Sequence, residues 1–370
     1  MMNTLVDKKG LMKRNKNIDI LRACAILIIV IYHGYVVAGY PWQSHKNINL
    51  LMNFGGELGV TLFFALSGFG IFWSLHQKEQ KNAMPKWHVF MKQRCIRIMP
   101  QYYTNIFILL VLQAGGMISL SGLKHVLAYC TFTQNLWIET HGSINGALWS
   151  MATIVQFYLV AIFLYRMVEK NWVLAGGSSI LISVLCKFLL YHYLIPALQL
   201  DGAAYFVYGR QLFMALDNFV LGMVAAKVIL QFWDKKHTRK MMVGGIFVTI
   251  FSVIILIVLA YEFSKSGIYM DKPVGYIAHS VLALLISLLM IGVSMLPQLD
   301  GVLMRPMSFI AKYQYGIYIW HLPVMGGLYK NSPLFQTLLA EGFIPFIIAE
   351  LFVVIIMGYF SSIWIRVQSK

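Results

Sequence analysis

The stretch Asn17-Ile-Asp-Ile-Leu-Arg22-Ala-Cys-Ala-Ile-Leu-Ile-Ile-Val-Ile-Tyr-His33-Gly34 decides how this chain is read. It is apolar enough to enter a bilayer, yet it carries Arg22 and His33. Ionisable groups are costly in hydrocarbon, so inside a span they mark function by default. The two stand eleven positions apart. At roughly 100° per residue they fall within about 20° of each other around a helix, and about 16 Å apart along it. One helix face then carries a fixed cation near its start and a titratable imidazole deeper in.

Composition agrees with a membrane setting. The chain has 370 residues, 59% of them hydrophobic and only 12% charged, and its mean hydropathy is +0.69. A soluble domain carries about 25% charged residues. Apolar runs near the length of a membrane span recur throughout, and no soluble domain of ordinary size fits between them. Cys24, Cys95, Cys130 and Cys186 form no CxxC pair and lie mostly in apolar runs, so neither a metal site nor a disulfide framework is expected. The basic start precedes an apolar run with no small-residue cleavage site after it, which predicts a retained signal-anchor helix.

The pattern predicts an all-α polytopic helix bundle of about ten spans, near 18–38, 54–75, 98–114, 146–168, 172–194, 211–230, 242–262, 276–296, 309–328 and 343–365. Lys and Arg crowd alternate connections. The tail has Lys8, Lys9, Lys13, Arg14 and Lys16. The loop after span two has Lys78, Lys81, Lys86, Lys92, Arg94 and Arg97, and that after span six has Lys227, Lys235, Lys236, Arg239 and Lys240. Arg166, Lys170, Arg305, Lys312, Arg366 and Lys370 fall on the same side, whereas the opposite side has only Lys46, Lys124, Arg210, Lys265, Lys272 and Lys330. By the positive-inside rule both termini are cytoplasmic. The net charge of +16 is thereby accounted for largely as topology, without a nucleic-acid partner. One long outer segment, about 115–145, carries Glu139, His141, Asn145 and several aromatics, and is able to fold back as a lid.

Several residues stand out for chemistry. His33 suits a general base near neutral pH, and Arg22 suits an anionic ligand; the alternative is that Arg22 snorkels beside Asp19 while His33 bonds a neighbouring helix. Arg94 and Arg97 stand one turn apart on one helix face. Their guanidinium forks match phosphate, although ordinary positive-inside residues look the same. Gly55, Gly56, Gly59, Ser67 and Gly68 favour close helix packing over a nucleophilic role for Ser67. Ser150, Thr153 and Gln156 form a polar stripe suited to interhelical hydrogen bonds. Asp217 and Asn218 lie in apolar surroundings, and His321 follows Tyr318 and Trp320 in the ninth span.

Taken in order on this frame, five elements resemble the membrane-bound acyltransferase family 3, the bacterial polytopic O-acyltransferases. They are Arg22 and His33 with ten residues between, Gly59-Val60…Phe63-Phe64…Ser67-Gly68-Phe69, Arg94 and Arg97 followed by Pro100, Trp149-Ser150…Phe157-Tyr158, and Tyr318…His321…Pro323. The resemblance spans nearly the whole chain. It implies a single integral-membrane acyltransferase domain over 1–370, with 1–17 as a cytoplasmic basic tail, in a bacterial plasma membrane. It implies a cytoplasmic acyl-CoA donor, usually acetyl-CoA, no metal, and a hydroxyl of an extracytoplasmic carbohydrate as acceptor. A capsular or exported polysaccharide is the first expectation, with the polysaccharide biosynthesis machinery as a further partner.

By the same resemblance His33 and Arg22 are catalytic, His33 as base or as a transiently acylated group and Arg22 as a CoA contact or a stabiliser of the thioester oxygen, while Arg94 and Arg97 bind the donor, and Trp149, Ser150 and His321 contact substrate. Two positions depart from the family pattern: Thr61 stands where an aspartate is frequent, and Ile154 where a glutamate is frequent. Glu57, Asp217 and Glu139 are the candidate substitutes. The competing reading is a proton-coupled transporter or a lipid-linked sugar flippase that relays through Arg22, His33 and Asp217. A sensor or scaffold gives no reason for Arg22 and His33 to be aligned.

Overall fold

The computed structural model describes residues 15–112, 122–232, 238–265, 273–299 and 301–368. Its helices are α1 (Lys16–Val37), α2 (Lys46–Glu79), α3 (Trp87–Leu112), α4 (Leu123–Cys130), α5 (Trp149–Lys170), α6 (Trp172–Leu189), α7 (Ile195–Ala197), α8 (Gly202–Tyr208), α9 (Leu216–Phe232), α10 (Arg239–Lys265), α11 (Pro273–Ser294), α12 (Arg305–Asn331), α13 (Pro333–Glu341) and α14 (Phe343–Gln368). No strand occurs among the described residues. The molecule is an all-α bundle of a multi-pass membrane protein.

Helices occupy all ten predicted places, but among the described residues eight are long and apolar enough to cross a membrane on those grounds alone. The other two are α9 and α12. The predicted start of span six, from 211, is a turn, and α9 begins at Leu216 and runs for 17 residues. Apolar composition could not reveal that turn. The 27 residues of α12 are rich in polar and aromatic side chains. Packing inside the bundle shields them from lipid, so the helix does not need an apolar surface. The third helix begins at Trp87, eleven residues before its predicted start.

Asparagines fix where α1 begins. Asn15 caps it by accepting from the Ile18 amide at 3.2 Å. The Asn17 side chain donates to the Val293 carbonyl at 2.7 Å and accepts from the Leu299 amide at 3.1 Å. The free end of α11 is thus closed by the start of α1. Glycines then set how near the helices come. A Cβ on Gly68 would run into the Phe219 carbonyl, and one on Gly222 into that of Ala65. Only bare backbone lets α2 and α9 cross this closely, as small residues do between membrane helices.

Pro323 sits inside α12 and supplies no amide for the Ile319 carbonyl. Two amides from elsewhere take that place. Asn105 of α3 donates to it at 3.2 Å, and Asn145 of the long loop at 3.0 Å. Leaving such a carbonyl unpaired would cost about 1–3 kcal/mol. Asn145 also donates to Asn105 at 2.9 Å. Together with buried Gln134, Asn135 and Thr140, these bonds seat the described part of the 115–145 loop against the end of the bundle. Residues 113–121 lie outside the described residues.

Candidate active site

Arg22, Arg94 and Arg97, chosen from sequence, line one cavity of about 750 Å³ at the basic end of the bundle. Lys312 of α12 joins them, so three helices contribute four cations. Arg22 is held by Asp19, Nη1 to Oδ1 at 2.7 Å. Gly70 lies opposite, where a Cβ would sit 3.6 Å from the guanidinium. Arg94 lies over the Phe90 ring, 5.0 Å from its centroid, and near Tyr158 at 5.9 Å. Such stacking holds a guanidinium flat. The uncharged walls include Gln101, Gln314, Phe63, Leu66, Met151 and Ile154. Ile154, at the place of the family glutamate, therefore faces the cationic cavity.

His33 lies beyond this cavity and is not part of its lining. It turns toward α12, where its Nδ1 is 3.1 Å from Nε2 of His321. The two residues are 288 positions apart in sequence. His321 is fully buried, and its Nδ1 is 2.5 Å from the Tyr318 carbonyl. His33 Nδ1 is also 2.9 Å from the Ile29 carbonyl. A carbonyl only accepts, so in the neutral pair His321 carries its proton on Nδ1 and presents a lone pair at Nε2. His33 then donates from Nδ1, and its Nε2 keeps a lone pair able to take a proton.

One aromatic layer links the cavity to the histidines. Phe63, a cavity wall, stacks on Tyr318 with centroids 5.1 Å apart and planes at 16°. Tyr318 in turn packs 5.5 Å from the His321 ring. The Tyr318 hydroxyl donates to the Ala147 carbonyl at 2.6 Å and meets the Ser150 hydroxyl at 2.6 Å. Ser150 is 1% exposed, so its hydroxyl holds Tyr318 in place and does not face open space.

The opposite end is organised around Arg210, which has no mark in the local sequence. Its guanidinium pairs with Glu57 and lies over the Phe206 ring at 3.7 Å and the Trp149 ring at 5.4 Å. His141 stacks on Trp149, centroids 5.8 Å apart. Burial pushes the His141 imidazole down to about 4, so it is neutral near pH 7. His279 stands 3.5 Å from Glu57. A histidine within an apolar span was the available signal for it. Asp217 accepts from Ser280 at 2.5 Å inside the bundle, and Glu139 pairs with Lys124 at the surface. Of the three carboxylates considered as substitutes, only Glu57 belongs to the group around Arg210.

All four cysteines are free. His76, Glu79 and Glu169 bring donor atoms within 4.8 Å of one another at the basic end. Lys227 already binds Glu169, and the Tyr165 hydroxyl donates to Glu79. The cluster is therefore an ion-pair network that ties α2, α5 and α9.

The chain is an all-α membrane bundle with a cationic cavity and a buried histidine pair. Residues 15–366 match the family model described as an acyltransferase domain, and the chain belongs to that family. It is similar to O-acetyltransferase OatA of Staphylococcus aureus (strain NCTC 8325 / PS 47), at 24% identity over 85% of this chain and 51% of the relative. A putative O-acetyltransferase of Staphylococcus aureus (strain COL), SACOL0978, is also 24% identical, over 86% of this chain and 52% of the relative. A regulator of hypoxia-inducible factor 1 from Caenorhabditis elegans is 29% identical over 35% of this chain and 26% of its own length. The chain thus spans about half the length of the O-acetyltransferases it matches. No solved structure matches it.

Proposed function

We propose that the protein transfers an acyl group, acetyl first, from acyl-CoA at the basic end to a hydroxyl of a carbohydrate at the opposite end. The observation that carries this reading is the grouping of Arg22, Arg94, Arg97 and Lys312 on one cavity, one aromatic layer from His33. The phosphates of CoA are polyanionic, and guanidinium forks bind them in bidentate fashion. The thioester then enters toward Phe63 and Tyr318. The acceptor hydroxyl gives its proton to His33 Nε2 as its oxygen bonds to the acyl carbon. The carbon–sulfur bond breaks, and the proton passes to the departing thiolate. His321 and the Ile29 and Tyr318 carbonyls hold His33 in the tautomer this requires, and they stabilise the imidazolium that forms.

The donor is drawn from the cytoplasm and both termini are cytoplasmic, in keeping with the distribution of Lys and Arg. The membrane is a bacterial plasma membrane. Residues 15–366 act as one domain, and the acceptor is a surface polysaccharide delivered by its biosynthesis machinery. Nuclear magnetic resonance of surface glycans from cells with and without the protein tests the reading. O-acetyl signals should vanish with the protein and return with the wild-type chain. Solute transport in liposomes with no acyl transfer would favour a transporter instead.

A further inference from the structure

The group at the end away from the cationic cavity has a chemical requirement of its own. Glu57 lies in Gly55-Gly56-Glu57-Leu58-Gly59 on α2. The glycines let α1 come close: a Cβ on Gly56 would lie 2.7 Å from the Tyr32 ring, and one on Gly59 2.6 Å from Ile29. Tyr32 packs against the His33 ring with centroids 5.0 Å apart. Arg210 is within electrostatic reach of both Tyr32 and His33. Through Tyr32 the Glu57 group thus lies next to the turn of α1 that carries His33.

Its hydrogen-bond accounting leaves two acceptors facing each other. Glu57 Oε1 is taken by Arg210. Glu57 Oε2 stands 3.5 Å from His279 Nε2. His279 Nδ1 is 2.7 Å from the Gly275 carbonyl, so in the neutral ring it carries the proton. Nε2 and Oε2 then both present lone pairs, and a donor shared between them would satisfy both. The side chains of Glu57, Arg210 and His279 retain 23%, 17% and 13% of their surface, although none lines the cationic cavity. The charges of Glu57 and Arg210 cancel. A carboxylate or phosphate ligand would meet the Glu57 carboxylate with no net positive charge to draw it in. An uncharged ligand with adjacent hydroxyls supplies donors without upsetting the charge.

We propose that Glu57, steadied by Arg210 and His279, positions the acceptor by accepting hydrogen bonds from neighbouring hydroxyls of an uncharged carbohydrate beside His33. This rests on the carbohydrate reading above and names the residues and the ligand chemistry. Hydroxyl-to-carboxylate bonds are charge-assisted, so their loss weakens binding by roughly 10–100-fold.

The test uses membrane vesicles bearing the full chain, labelled acetyl-CoA, and surface glycan purified from cells that lack the protein. In Glu57→Gln the KM for glycan should rise at least about tenfold, while the KM for acetyl-CoA and the Kd for CoA stay at wild-type values. Glu57→Asp should recover part of the loss, and His279→Gln should raise the glycan KM in the same direction. Glycan oxidised by periodate, which cleaves adjacent diols, should no longer compete. A glycan KM in Glu57→Gln equal to wild type overturns the proposal, as does undiminished competition by oxidised glycan. Equal loss of CoA binding marks Glu57 as a structural support and also overturns it. If the wild-type protein acetylates no glycan, the carbohydrate reading itself falls.

Discussion

The two ends of the bundle use arginine in opposite ways. At the basic end Arg94, Arg97 and Lys312 have no carboxylate partner among the described residues, and Arg22 alone is paired, with Asp19. At the other end Arg210 is neutralised by Glu57 and covered by Phe206 and Trp149. Uncancelled cations around a cavity create a field that draws an anion in. A cancelled cation within the bundle leaves only oriented hydrogen-bonding groups. On the proposed reading the two ends suit two unlike substrates: uncancelled charge suits an anionic donor, and a neutralised group of hydrogen-bonding side chains suits a hydroxyl compound.

The largest effect that would break this comparison is expected at the group shared by both sides. His33→Gln should lower acyl transfer by roughly 10²–10⁴-fold, with CoA binding unchanged by titration of the purified protein. Retained transfer at normal protein levels would remove His33 from the chemistry. Next, replacing both Arg94 and Arg97 by Gln should weaken CoA by roughly 10–100-fold and flatten the salt dependence of its Kd. The same double change should leave the glycan KM alone. If both substrates weaken together, the two ends are not separate sites.

Smaller effects sharpen the boundary. Phe63→Ala thins the aromatic layer on Tyr318, so CoA release without acceptor should rise several-fold, measured as free thiol. Unchanged thiol release would show that Phe63 does not separate the two spaces. Ile154→Glu adds an anion to the cationic cavity and should raise the CoA Kd a few-fold with no change in glycan KM. The smallest effect is expected at the loop. The hydrogen bond from Lys124 holds the Glu139 carboxyl below the usual carboxylate range. Such a pair stabilises above the unfolded pKa, and the gain is lost as pH falls through the depressed folded value. Because the pair is exposed, Lys124→Ala should leave both Tm and transfer close to wild type at neutral pH.

Much of the frame was legible because its causes are local. Helix rise and turn place Arg22 and His33 on one face of α1 whatever the neighbours do. Arg94 and Arg97 needed only a spacing of three. Ser150 shows the limit: a serine after a tryptophan could not reveal that its hydroxyl is spent on Tyr318. Arg210 carries no local signal of its role, because its partner Glu57 is 153 residues away. The apolar stretch Leu212-Phe-Met-Ala-Leu216 concealed the turn before α9, since hydropathy records transfer to lipid and not backbone direction. The Ile154 departure was visible, yet the cavity it faces was not.

The sequence by itself determined a multi-pass α-helical protein, the acyltransferase resemblance, and the order of Arg22 and His33 along one helix. These follow from apolar length, backbone hydrogen bonding and helical period, which act over a few turns. Only the tertiary structure decided that His33 meets His321, that Pro323 is answered by Asn105 and Asn145, and that Glu57 is shared by Arg210 and His279. Those pairings depend on how closely glycine-lined helices cross. A crossing is a property of two distant surfaces together, and neither surface specifies it alone.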